Sequence, residues 1–177
     1  MATPVHDDVI EFAGDYRLKS LVITNHKGEG FDSTQRGVDI KRLMTELNIY
    51  EGIYKSAITG SVVITDTINL IGRLPIQGTE RLSFKLATPG AHEAAHLIDF
   101  TERSGHPMHI YKLTDRQQIS ESVQVYTLHF CSREFLRNIR TKVSQSYSGT
   151  FDSMVKSIFE DKDYLDSRKT LFSEKTR

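Results

Sequence analysis

The sequence has a single cysteine, Cys131, so no internal disulfide can form and a secreted scaffold held by cystines is excluded. Tryptophan is absent, and seven tyrosines and nine phenylalanines supply the aromatic bulk. No apolar run reaches the ~18 residues that a membrane-spanning helix requires. Neither sign of charge is in excess, since 23 Lys+Arg balance 23 Asp+Glu. That balance argues against a general nucleic-acid binder and leaves room only for a local basic patch. The first residues, Met1-Ala2-Thr3-Pro4-Val5-His6-Asp7-Asp8, have no basic start and no apolar stretch, so no secretory signal is expected. What is there is 177 residues with a hydrophobic fraction of 38%, enough for one domain with a real core and the start of another.

The pattern along the chain is that of short strands separated by polar turns. Residues 15–24 read as a strand, ended by Asn25-His26-Lys27-Gly28-Glu29-Gly30. Residues 38–54 fit two periods. Ile40, Leu43, Met44 and Leu47 have helical spacing, whereas Leu47, Ile49 and Tyr50 suit a strand, and a strand over roughly 43–51 is preferred. Residues 57–67 are strongly β-prone. Residues 81–86 alternate cleanly, which places Leu82, Phe84 and Leu86 on a buried face and Arg81, Ser83 and Lys85 on the other. Residues 97–101 and 108–113 read as a strand pair around Ser104-Gly105-His106-Pro107, followed by a turn at Thr114-Asp115-Arg116. Residues 122–130 carry apolar side chains on both faces, as a central strand would.

The character then changes. Ser132 is placed to cap a short helix at 133–139. Thr150 is placed to cap a second, with Phe151, Met154, Val155 and Ile158 as its apolar stripe and Asp152 favourably sited in its first turn. The expected architecture is mainly β, an antiparallel sandwich or barrel with one or two short helices. A doubly wound fold would need ~10–15-residue helices between the strands. The expected organisation is a β domain over residues 1–145, then a helix and the beginning of a following, truncated domain over 146–177.

Little in the sequence points to catalysis. His92-Glu93-Ala94-Ala95-His96 matches H-E-x-x-H, in which two histidines four apart on a helix hold zinc and the glutamate serves as general base. Here it lies between two strand-like segments, too close for the long helix that chemistry needs, with only His106 and His109 nearby as third ligands. An exposed hairpin connection is the better reading, and no catalytic, cofactor or metal residue is expected. His129 reads as a surface or satisfied residue, Cys131 as a buried inert thiol, and Ser144, Ser146 and Ser148 as strand and turn residues. Arg133, Arg137 and Arg140 read as a solvated or inter-subunit face that could touch phosphates by charge alone. No phosphate-binding glycine loop occurs.

The order of several motifs carries a resemblance. Asn48-Ile49-Tyr50-Glu51-Gly52-Ile53-Tyr54 runs into Ala57-Ile58-Thr59-Gly60-Ser61-Val62-Val63-Ile64-Thr65-Asp66. Then come Asn69-Leu70, Leu74-Pro75-Ile76-Gln77-Gly78-Thr79-Glu80 and Thr88-Pro89-Gly90. Ile110-Tyr111-Lys112-Leu113-Thr114-Asp115-Arg116, Tyr126-Thr127-Leu128-His129-Phe130-Cys131-Ser132 and Ser146-Tyr147-Ser148-Gly149 follow. Over residues 40–160 this series resembles the N-terminal tube-like domain of baseplate hub proteins from contractile-tailed phages of the T-even type. The resemblance implies a β fold of the tail-tube type and a virion protein assembled in the host cytoplasm, with no enzymatic activity and no cofactor. It implies a self-associating ring, a homotrimer, joining the tail tube protein to the central spike protein. DNA would pass through its lumen without specific binding, and no membrane would be involved. It also implies that residues 47–50 form a strand and that the segment around His92 is a loop. A tail tube or tail-terminator-like ring protein is the alternative, and a small zinc hydrolase using His92, Glu93 and His96 a more distant one.

Overall fold

One antiparallel sheet of eight strands dominates the computed structural model, which describes residues 16–31, 37–55, 57–74, 76–88 and 97–171. The strands are β1 (Arg17–Thr24), β2 (Val38–Asp39), β3 (Met44–Tyr50), β4 (Thr59–Asp66), β5 (Arg81–Ala87), β6 (Leu97–Phe100), β7 (Met108–Ser120) and β8 (Val123–Cys131). Three short helices accompany them: α1 (Leu70–Arg73), α2 (Arg133–Arg140) and α3 (Phe151–Glu160). The mainly β, antiparallel architecture and the helices at 133–140 and 151–160 agree with the sequence pattern. So does the strand, rather than a helix, at 44–50.

The strand order is β2-β1-β5-β7-β8-β4-β3, with β6 alongside the far half of β5. Laid flat, seven strands at ~4.8 Å spacing would put β2 and β3 roughly 29 Å apart. Yet these two ends are joined by residues 40–43 alone, a link of at most ~17 Å. The sheet must therefore roll. The Ile40 N–H donates to the Leu21 carbonyl of β1 at 2.9 Å, and the Thr65 N–H of β4 donates to the Leu43 carbonyl at 2.8 Å. Register shifts in β1–β5, β3–β4 and β7–β8 mark bulges, which add the coiling that such closure needs.

The roll encloses Leu21, Ile23, Ile40, Val62, Ile64, Leu82, Phe84, Met108, Ile110, Tyr126, Leu128 and Phe130, none more than 1% exposed. Phe84 packs edge-on against Phe100 and Phe130, with ring centroids 5.1 and 5.4 Å away. Gly60 is paired with Phe130 across β4 and β8. A Cβ there would come within 2.3 Å of the Phe130 ring and of the Asn48 carbonyl oxygen, so only glycine fits beneath this aromatic.

Two buried carboxylates fasten the connections. Asp66, at the end of β4, accepts the Ile68 and Leu70 N–H groups at 3.1 and 2.7 Å and the Tyr126 hydroxyl at 3.2 Å. It thereby starts α1, a turn of helix that the sequence pattern did not indicate. Glu80 gathers the N–H groups of Gln77, Gly78 and Thr79 at 2.7–3.1 Å, which sets the turn into β5.

Several expectations need correction. Residues 97–100 do not pair with 108–113: β6 pairs with β5, and β7 pairs with β8 and with the first residues of β5. Residues 114–116 are not a turn. β7 passes through them with a bulge and a left-handed Asp115 (φ 55°), and the chain reverses at Glu121 and Ser122. The β7–β8 ladder carries the strand past the local turn signal. Leu86 is only half-buried, because it pairs with exposed Ile98 where the core ends, while small Ser83 is shaded between β1 and its neighbours. Residues 143–149 form no strand.

Candidate functional site

Of the residues singled out from sequence, His92, Glu93 and His96 lie outside the described residues. Among the described residues no group of three or more His, Cys, Asp or Glu is placed to hold a metal ion. Cys131 is fully buried, and burial pushes its thiol up to about 12, so it is a packing residue at neutral pH. His129 shares a 2.8 Å hydrogen bond with the Thr114 hydroxyl and sits beside Tyr111, a satisfied residue on the outer face of the sheet. Ser144, Ser146 and Ser148 are exposed. Lys85 points outward and pairs with Asp99 at 3.0 Å. Two of the three arginines of α2 are not free on a solvated face. Arg133 and Arg137 both bind the Asp166 carboxylate, Arg137 at 2.8 Å, and Arg137 also donates to the Lys162 carbonyl at 3.1 Å.

That bonding draws residues 161–169 back over α2 and builds a pocket of about 210 Å³ on the outer face of the sheet. β5 contributes Arg81, and its register partner on β7 is His109. The segment before β7 contributes Glu102 and His106, the first turn of α2 contributes Arg133 and Glu134, and the C-terminal segment contributes Arg168 and Lys169. Arg81 donates to Glu102 at 2.9 Å, and the Glu102 carboxylate lies over Gly28, where any Cβ would come within 2.9 Å of it. Glu134 accepts the Ser167 hydroxyl at 2.7 Å and pairs with Lys169 at 3.2 Å. Burial alone would raise the Glu134 pKa, but these partners and a backbone N–H outweigh it and hold the carboxyl below its usual range. His109 is shifted down by burial first, then by Arg81 and Arg133, so its imidazole is neutral at pH 7. Sequence reasoning named His106, His109 and Arg133 singly but not this pocket, because its residues come from four separated segments.

A second feature is the surface left uncovered. β7 and β8 run on as a ribbon whose outer residues, from Asp115 to Ser122, are all exposed, Ile119 among them. Ile53 and Tyr54, beyond β3, are 92% and 95% exposed. The Thr150 hydroxyl caps α3 by accepting the Ser153 N–H, yet no residue of α3 is fully buried and Phe151 is 79% exposed. No helix among the described residues is long and apolar enough to cross a membrane. Comparison with protein families, with curated proteins and with solved structures gives no match.

Proposed function

We propose that this chain is a structural module of a contractile-tail baseplate hub, a ring-forming subunit between tail tube and central spike with a DNA channel through the ring. The observation that carries the reading is a rolled antiparallel sheet with apolar, partner-ready features outside its core. The β7–β8 ribbon, the Ile53-Tyr54 corner and the open face of α3 have nothing in the described chain to cover them. Exposed large apolar side chains at these projections, Ile53, Tyr54, Ile119 and Phe151, are the surfaces on which the reading places partner contacts. The ordered series of motifs from Asn48 to Gly149 supports the same reading and supplies the phage assignment. β3 and β6 each pair on one side only, which leaves sheet edges through which neighbouring subunits could join.

Native mass spectrometry of the chain, alone and co-expressed with a tail tube protein and a spike protein, tests this. Threefold assemblies that bind both partners are expected. Sixfold rings would assign the chain to the tail tube or terminator class instead. A monodisperse monomer with no affinity for either partner would overturn the proposal.

A further inference from the structure

We propose that the pocket between β5, β7, the start of α2 and the C-terminal segment binds a phosphate group, as inorganic phosphate or as a small phosphomonoester. The inference is independent of the assembly reading, since the pocket is built within one chain.

The charge balance favours a dianion. Arg81, Arg133, Arg168 and Lys169 bring four positive charges to the lining, and Glu102 and Glu134 bring two negative ones. Beyond the lining, Asp166 is shared between Arg133 and Arg137, so it adds no net negative charge to the balance. Two units of positive charge remain. Donors remain as well. Arg81 spends Nη1 on Glu102, while its Nε is buried and has no partner. Exposed Arg168 acts on Asp166 through its charge, and no hydrogen bond to a described residue occupies its guanidinium. A guanidinium has five donors in a fixed fork that suits phosphate oxygens, and leaving a buried donor unmade is costly. Opposite Arg81 in the β5–β7 register, neutral His109 keeps one ring N–H to offer to an oxyanion. At about 210 Å³ the pocket is smaller than the ~300 Å³ at which sites for drug-sized ligands begin, which restricts the ligand to a small one.

The depressed titration of His109 agrees with this geometry. After burial, its causes are the positive charges of Arg81 and Arg133, opposed only by the weaker influence of Glu134. The groups facing His109 are thus mostly cationic, and a bound dianion would raise its pKa.

Titration of the full chain with inorganic phosphate and, separately, with glycerol phosphate, read by calorimetry, tests the proposal. Saturable binding at one site is expected for at least one of them, and which one saturates identifies the source of the phosphate. Arg168→Ala should weaken it about tenfold, the worth of one charge-assisted contact, with only a small change in unfolding midpoint because Arg168 is exposed and acts on Asp166 by charge alone. Arg81→Lys, which keeps the charge and the pairing with Glu102 but loses Nε, should weaken it as well. Arg116→Ala, on the exposed outer part of the β7–β8 ribbon seven residues along β7 from His109, should not. Phosphate should also move the His109 ring resonances and raise its titration midpoint. Absence of saturation by about 10 mM for both ligands, or binding unaffected by Arg168→Ala, would overturn the assignment.

Discussion

Individual side chains in this protein divide into those the alternation of the sequence places and those that need a third dimension. Phe84 belongs to the first kind. It is fully buried between Phe100 and Phe130, and Phe84→Ala should cost about 3–5 kcal/mol of stability in denaturant unfolding. Lys85→Ala, next to it, removes an ion pair whose two side chains are about one-third exposed and should cost under ~1 kcal/mol. Comparable losses at both positions would refute the register. Glu134 belongs to the second kind. Its folded-state pKa lies below the unfolded value near 4.5, so its stabilising contribution is complete above about pH 4.5. That contribution is lost as the pH falls from there through the lowered value. The stability gap between wild type and Glu134→Gln should therefore be constant from pH 5.5 to 7 and close in acid, as followed by thermal unfolding. A gap that widened on acidification would contradict the sign of the shift. Nothing in the sequence singles out Glu134, Glu80 or Asp66 as buried acids. A carboxylate goes inside only where several N–H or O–H groups converge on it, and those donors are set by the fold.

Secondary-structure elements were legible where one period ruled. The alternation of β5 placed Leu82 and Phe84 inside, apolar residues on both faces marked β8 as a central strand, and the apolar stripe and Thr150 cap of α3 stand in the sequence. The β7–β8 ribbon was not legible, because polar Thr114-Asp115-Arg116 imitates a turn and only the long ladder with β8 keeps β7 extended. Its outer end lies apart from the core. Replacing residues 118–124 by Asn-Gly should leave a folded protein, since Tyr126 and its bond to Asp66 are retained and Asn-Gly suits a tight hairpin. On the hub proposal the same deletion should abolish ring formation in native mass spectrometry. Phe151→Ser should behave alike, with little change in melting temperature because the ring is already solvated, but with weakened association. Unchanged assembly in both variants would show that neither feature is an interface.

At the scale of the molecule, net charge is zero, and the basic side chains of α2 are largely engaged within the chain. Duplex DNA should bind weakly, without sequence preference and with strong salt dependence, because few phosphate contacts are on offer. Fluorescence titration at physiological salt should give no sub-micromolar dissociation constant. Tight binding, or discrimination between sequences, would identify a nucleic-acid reader instead of a conduit.

The amino-acid sequence determined the class of structure. Alternating strands, short polar turns and the Thr150 cap of α3 are local properties, settled by side chains a few residues apart, whereas Ser132 precedes α2 without the expected side-chain capping bond. It also limited chemistry, through one cysteine that lies buried and a charge balance of zero. Tertiary structure decided what joins what. It paired β6 with β5, rolled the sheet so that the 40–43 link could connect its two ends, and folded residues 161–169 onto α2. The basic pocket follows from that last step. Arg81, His109, Arg133 and Arg168 become neighbours only after strand order and the Asp166 bridge are in place, and no local pattern encodes contacts between residues so far apart in the chain.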